Sequence, residues 1–267
     1  MRVSVVIVTY NRLYTLAELL ESIARQTYRP HEIIIVNDGG EPADSLTSAY
    51  DDLPIRMMNL EENTGHVHAR NTGVFQAEGD AIMLCDDDDY FAPEHIERMV
   101  HELTDAHLVY SDVEIVEFKV QNNVRVPVSR RLFAYSYDAK EMRRFSTFVP
   151  SGSLYLKEVH QSIGYYDPEV HNYWDWDFFL RVSEKFQVKR VPVASVIYAF
   201  SDTGNHQSAA LNERRQSYLE KLSEKHQLGE LPQKNFFVLL EEPELKAREA
   251  LSLLVWDGKP MISRIIT

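Results

Sequence analysis

A single cysteine among 267 residues excludes an intramolecular disulfide framework and leaves no second thiolate for a structural zinc site. A reducing compartment, the cytoplasm, is therefore the expected location. Long hydrophobic runs are missing too. The first apolar stretch, Val3 to Val8, is six residues long and meets Thr9-Tyr10-Asn11-Arg12 at once, too short for a signal peptide or a membrane span. There is no basic run, and 28 basic against 41 acidic residues give a formal net charge of −13. That balance opposes the phosphates of a nucleic-acid duplex, so nucleic acid is not an expected partner. No internal repeat or low-complexity tract interrupts the chain. What is present, 44% hydrophobic and 26% charged residues, is the composition of an ordered globular protein with one large domain or two small ones.

Val3-Ser4-Val5-Val6-Ile7-Val8 is too apolar for a half-exposed strand and reads as a buried parallel one. Leu13, Leu16, Leu19, Leu20 and Ile23 recur at helical spacing until Pro30 breaks the pattern. Glu32 to Val36 repeats the buried-strand signature and ends in Asn37-Asp38-Gly39-Gly40, a turn signal. A short helix over 44–52, a strand over 55–60, a helix over 68–78 and a strand over 81–85 continue the alternation. Strands alternating with helices predict an α/β fold: a mostly parallel, Rossmann-like sheet with helices on both faces. After a helix over 93–103 the texture becomes mixed. Residues 107–119 and 124–132 read as a hairpin around Gln121-Asn122-Asn123. Helices over 174–186 and 213–226 flank a strand over 191–199, and 244–256 has helical spacing. The expected organisation is a nucleotide-binding half over 1–105, an acceptor and catalytic-base half of the same domain over 106–205, and a loop with a helical extension over 206–267.

In open α/β sheets ligands bind beyond the carboxyl ends of the strands. Three such ends stand out: Thr9-Tyr10-Asn11, Asn37-Asp38 and Asp86-Asp87-Asp88-Asp89. Four consecutive carboxylates repel one another unless a cation sits among them, some take up protons, or they face water as a solvated loop. Mg²⁺ or Mn²⁺ relieves the repulsion with hard oxygen ligands and commonly shares one or two carboxylates with substrate phosphates.

Val3 to Arg12 (VSVVIVTYNR), Val36 to Gly39 (VNDG), Asn63 to Gly73 (NTGHVHARNTG) and Leu84 to Pro93 (LCDDDDYFAP) resemble, in order and spacing, the motifs of the family 2 glycosyltransferases, which have the GT-A fold. The similarity spans roughly residues 1–205. It implies a nucleotide site made by Thr9, Tyr10, Asn11 and Asp38, with Arg70 near the diphosphate or base. A carboxylate at Asp38 suits the imide N–H of uracil or thymine, which favours a UDP or dTDP sugar; guanine also offers a ring N–H, so GDP stays open. Alignment on Pro93 makes Asp86-Asp87-Asp88 the DxD-type motif, with Asp88 as metal ligand and Asp86 or Asp87 near the ribose. The run of four aspartates also admits a register one residue away. Asp89 is expected behind the ligands or facing solvent.

Asn172 to Arg181 (NYWDWDFFLR) resembles the family's acceptor-side segment, in which Trp174 replaces a glutamate and Asp175 aligns with the catalytic base. Helical geometry selects the same residue. Phe178, Phe179, Val182 and Phe186 form one stripe with Asp175 near its centre, while Asp177 points roughly the opposite way. A carboxylate beside apolar groups has a raised pKa, useful to a general base; the alternative for Asp175 is a helix cap. Ser151, Gly152 and Trp174 are expected to contact the acceptor. His206 lies where related enzymes place a mobile loop or an extra metal ligand, and His66 and His68 flank the Asn63 motif.

The implied activity is inverting, metal-dependent transfer of a sugar from a nucleoside diphosphate to a saccharide or lipid-linked acceptor hydroxyl in polysaccharide or glycoconjugate biosynthesis. A lipid-linked acceptor would be met at the inner face of a membrane. The Gln-x-x-Arg-Trp segment of processive synthases is missing, so a single addition is expected. The rival is a catalytically silent nucleotide-sugar-binding or scaffold protein with the same fold, which Trp174 favours and the retained Asp175 opposes. An aspartate-nucleophile phosphohydrolase would want threonine where Tyr90 stands, and a dinucleotide-dependent dehydrogenase would want Gly-x-Gly-x-x-Gly after Val8.

Overall fold

The first strands are apolar on both sides because both sides are covered. In the computed structural model, which describes residues 1–147, 149–200, 213–231, 238 and 240–265, β1 (Val3–Thr9), β2 (Glu32–Asn37), β3 (Ile55–Asn59) and β4 (Ala81–Asp86) run parallel in the order β4-β1-β2-β3. Val5, Ile7, Ile33, Ile35 and Met83 face a core shared with Leu16, Leu19, Leu20 and Ile23 of α1 (Leu13–Ala24). Val6, Val8, Ile34, Val36 and Leu84 face the opposite core, shared with Val67 and Val74 of α3 (His66–Gln76). The short α2 (Ser45–Ala49) completes the first crossovers. Period-2 alternation is thus split between two apolar layers, which produces the unbroken β-branched runs.

The second half extends the same sheet. A two-residue β5 (Tyr90–Phe91) and α4 (His95–Glu102) precede the long hairpin β6 (Leu108–Gln121) and β7 (Val124–Phe133). Asn122 and Asn123 turn it with φ of +50° and +62°, the left-handed pair of a tight hairpin that asparagine tolerates. β8 (Leu154–Leu156) joins β4 to β6 antiparallel to both. α5 (Val159–Ile163) and a 3₁₀ segment (Pro168–Tyr173) lead into α6 (Trp174–Lys185); β9 (Val188–Phe200) pairs parallel with β6, and α7 (Glu213–His226) follows. With β10 (Leu253–Leu254) at one edge, the sheet order is β10-β9-β6-β8-β4-β1-β2-β3, with β5 on β9 and β7 on β6.

The helix expected over 244–256 does not form. Only Pro243–Lys246 is helical, and the chain then runs extended, with β10 (Leu253–Leu254) parallel to β9. Bonds to other segments replace the helical ones: the Ala250 N–H donates to the Ala134 carbonyl, and the Arg190 guanidinium donates to the Leu251 carbonyl. Leu251, Leu253 and Leu254 are exposed, so their spacing marks no buried helical face. Trp256 instead packs against Tyr90 and Phe118, with the Arg130 guanidinium 4.6 Å over its ring.

Candidate active site

Strand register assembles the site. Thr9 pairs with Asn37 and Val8 with Asp86, so the carboxyl ends of β1, β2 and β4 stand side by side and deliver Thr9, Asp38 and the four aspartates to one edge. Above them lies a cleft of about 1140 Å³, large enough for a nucleotide sugar and part of an acceptor together. Tyr10, 49% exposed, stands on its wall with an open ring. Asn11, at φ +56°, accepts the Glu41 N–H at 2.7 Å and fixes the loop after β2. Asp38 also holds the backbone: its Oδ1 accepts from the Thr64 N–H and hydroxyl at 2.7 and 2.9 Å, and its Oδ2 from the Gly65 N–H at 3.0 Å. It thereby anchors the entry to α3 at the cleft wall.

The four aspartates alternate. Asp86 and Asp88 are partly exposed to the cleft, whereas Asp87 is nearly enclosed and Asp89 has no exposed surface. Burial, reinforced by the Asp88 charge, pushes Asp87 up to about 7. Burial and then the charges of Asp88 and Asp86 hold Asp89 well above the usual carboxylate range. Asp89 accepts the Ala199 N–H of β9 at 2.9 Å, so it is a buried tie between the acidic loop and the sheet and does not face solvent. Two arginines answer the pair that faces the cleft. Arg70 donates to Asp86, and Arg12 Nη1 lies 2.5 Å from Asp88 Oδ2 and 3.2 Å from Asp87 Oδ1.

Among the described residues no group of three or more His, Cys, Asp or Glu side chains is placed to hold a metal ion. Asp86 and Asp88 nevertheless present two carboxylates to the cleft. That set suits Mg²⁺ or Mn²⁺ bound jointly with substrate phosphates, the mode in which one or two carboxylates suffice.

Across the cleft α6 begins at Trp174. Its ring lies 4.3 Å from the Arg70 guanidinium, which is also bonded to His66 Nδ1 at 3.1 Å. Arginine can only donate, so Nδ1 of His66 is the acceptor and the imidazole proton sits on Nε2. The next residue, Asp175, is partly exposed in the same cleft. Burial raises it to about 6; the Trp176 N–H works against that and the Asp86 charge adds to it. Asp177 does point the other way, but α7 covers that side, and the residue has no exposed surface. Burial alone would raise its pKa, yet hydrogen bonds and charges from His226, Arg181 and Lys225 bring it down to about 2. Its Oδ1 is 2.8 Å from His226 Nε2 and 2.7 Å from Lys225 Nζ, and Arg181 Nη2 is 2.7 Å from Oδ2.

Ser151 and Gly152 do not form cleft surface. Ser151 is 3% exposed and accepts the Asp86 N–H at 2.9 Å, behind the acidic loop. Gly152 sits at φ +78°, where a Cβ would lie 2.3 Å from Val196 Cγ2, and its carbonyl is 2.9 Å from His95 Nε2. The small residues are there for close packing beneath the site, and Val149 and Pro150 form the wall instead.

The glycosyl transferase family 2 model matches residues 4–164, and an uncharacterized glycosyltransferase of Bacillus subtilis (strain 168), YwdF, is 62% identical over 265 residues, 99% of both chains. The chain belongs to glycosyl transferase family 2. An uncharacterized glycosyltransferase of Rickettsia prowazekii is 27% identical and covers 79% of this chain and 67% of its own. Among solved structures, S. aureus TarS 1–349 in complex with UDP-GlcNAc superposes with a TM-score of 0.67 at 19% identity, over 84% of this chain and 66% of that one. Against a longer TarS structure the TM-score is 0.59, and this chain spans 37% of its length. That likeness establishes a shared GT-A fold.

Several cleft residues of this family 2 enzyme carry no signal in the sequence. Tyr198 of β9 and Arg214, Arg215 and Tyr218 of α7 line the same cleft. Nothing local marks them, because the path of the chain after β9 decides where α7 returns. Arg12 is visible as the only cation in the first strand-end motif, but its partners there are not. His206 lies outside the described residues. His66 and His68 are both on the cleft wall.

Proposed function

We propose that this glycosyltransferase moves a sugar from a uridine or deoxythymidine diphosphate to an acceptor hydroxyl by a single inverting displacement. The observation that carries the reading is Asp175, a carboxylate poised near pKa 6 on the wall of the cleft whose opposite side bears the acidic motif. Asp175 takes the proton of the acceptor hydroxyl as its oxygen bonds to the anomeric carbon, and the bonding pair of the departing C–O bond stays on the diphosphate. Arg12 and Arg70 are within reach of that developing charge. A divalent ion, when bound, would neutralise the same charge as a Lewis acid, with Asp88 and Asp86 as its protein ligands. Thr9, Tyr10 and Asp38 surround the base, and the uridine ligands of TarS support a pyrimidine donor for this shared fold. Tyr173 and Tyr218, both partly exposed in the cleft, offer aromatic faces to a saccharide or lipid-linked acceptor, whereas Trp174 is 5% exposed with Arg70 over its ring. None of the described helices is long and apolar enough to cross a membrane, so a lipid-linked acceptor would be met at a membrane surface.

The test is Asp175→Asn. Nucleotide affinity measured by calorimetry should stay within a few-fold of wild type while sugar transfer falls by roughly 10²-fold or more. Near-normal turnover would remove Asp175 from the mechanism.

A further inference from the structure

Arg12, the residue that precedes α1, reaches across 75 residues of sequence to the acidic loop, where its Nη1 contacts Asp88 Oδ2 at 2.5 Å and Asp87 Oδ1 at 3.2 Å. Its side chain is 37% exposed and lines the cleft, whereas Arg70 is 7% exposed, stacked on Trp174 and paired with Asp86. Each aspartate of the acidic loop that lines the cleft already has a guanidinium partner. The protein by itself offers a divalent ion two carboxylates, both engaged, and among the described residues no group of three His, Cys, Asp or Glu side chains is placed to hold it.

We propose that Arg12 is the built-in counter-ion of Asp88 and makes divalent-cation binding conditional on the nucleoside diphosphate. The inference rests on the transferase reading above, and it concerns the order in which the ligands bind. A dication approaching the empty cleft must break the Arg12–Asp88 pair and leave a guanidinium beside a second positive charge. A diphosphate changes this. Its oxygens accept the same charge-assisted N–H bonds that Asp88 accepts, so Arg12 moves from one oxyanion to another with little net loss. Asp88 is then free to face the ion, and the phosphates complete the coordination shell. Because coupling is reciprocal, metal tightens nucleotide binding by the same factor. Arg12 acts here as a positioning residue; it makes no bond to the reacting carbon.

The experiment is titration of the full chain with Mn²⁺, followed by calorimetry and by the electron paramagnetic resonance of free Mn²⁺, without nucleotide and at saturating UDP. Wild type, Arg12→Gln and Arg12→Lys are compared, with circular dichroism as the check on folding. Wild type should bind Mn²⁺ about 10-fold or more tightly when UDP is present, within the usual span of coupling between ligands. In Arg12→Gln, Mn²⁺ without nucleotide should bind about 10-fold more tightly than in wild type, and the effect of UDP should shrink. Arg12→Lys keeps the charge and should keep the coupling. If UDP and Mn²⁺ bind wild type but Arg12→Gln leaves the affinity for Mn²⁺ alone unchanged, or Arg12→Lys behaves like Arg12→Gln, the role of Arg12 is overturned and the transferase reading stands. If wild type binds neither UDP nor Mn²⁺, both fall together.

Discussion

At the scale of single residues the chemistry turns on how burial divides similar carboxylates. Asp175 is raised to about 6 by burial, while Asp177, two positions on and more deeply enclosed, is lowered to about 2 by its cationic partners. Only the first can exchange a proton near neutrality. As a base Asp175 must be ionised, so the rate of transfer should climb through an acidic limb near pH 6 and flatten above it. Stability runs the other way. The folded pKa lies above the ordinary aspartate value of roughly 3.9, so the folded state binds the proton more tightly, and this contribution is present at low pH and lost as pH rises through about 6. Asp175→Asn should therefore melt at a higher temperature than wild type at pH 8 and equal it at pH 4. A pH–rate profile without a limb between 5 and 7 would show that another group takes the proton. Asp175 was legible in the sequence because the stripe of Phe178, Phe179 and Val182 fixes its direction. The ionic cluster of Asp177 was not, since two of its partners arrive from α7, about fifty residues away.

At the scale of elements, β4 and its following loop depend on a layer beneath them. Ser151 holds the Asp86 N–H, Asp89 holds Ala199 of β9, and Gly152 lets both close up against His95 and Val196. Gly152→Ala would place a methyl group 2.3 Å from Val196 at a left-handed φ, and it should cost about 1–3 kcal/mol in urea unfolding while weakening UDP binding. A fully stable variant with intact binding would deny the layer its role. The alternating strands and helices were readable from periodicity, and the hairpin from Asn122-Asn123, because these signals are local. The stretch after 244 misled because Leu251, Leu253 and Leu254 mimic helical spacing while the backbone finds its partners in β9 and at Ala134. Ser151 and Gly152 were readable as a tight loop, but whether a small residue admits a sugar or another strand is decided only by what packs on it.

At the scale of the molecule one sheet runs through both halves, and the C-terminal segment ties its far ends together. β10 closes on β9, Trp256 covers Tyr90 and Phe118, and Arg264 pairs with Asp52 and lies 4.5 Å over the ring of Tyr50 beside the first helices. Removing residues 250–267 should lower the melting temperature by more than about 5 °C, since each kcal/mol lost is worth roughly 2–4 °C in a chain of this size. An unchanged melt would make the segment a passive tail. The net charge of −13 coexists with a cleft lined by Arg12, Arg70, Arg144, Arg214 and Arg215, so the acidic surface does not preclude a phosphate-bearing donor. The most direct test of the proposed transfer is calorimetric titration of the chain with UDP, dTDP, GDP and CDP, each with Mn²⁺ and again with excess chelator. UDP or dTDP should bind with one-to-one stoichiometry, and the chelator should weaken that binding. Failure of all four to bind in both conditions would contradict the donor site and, with it, the proposed transfer.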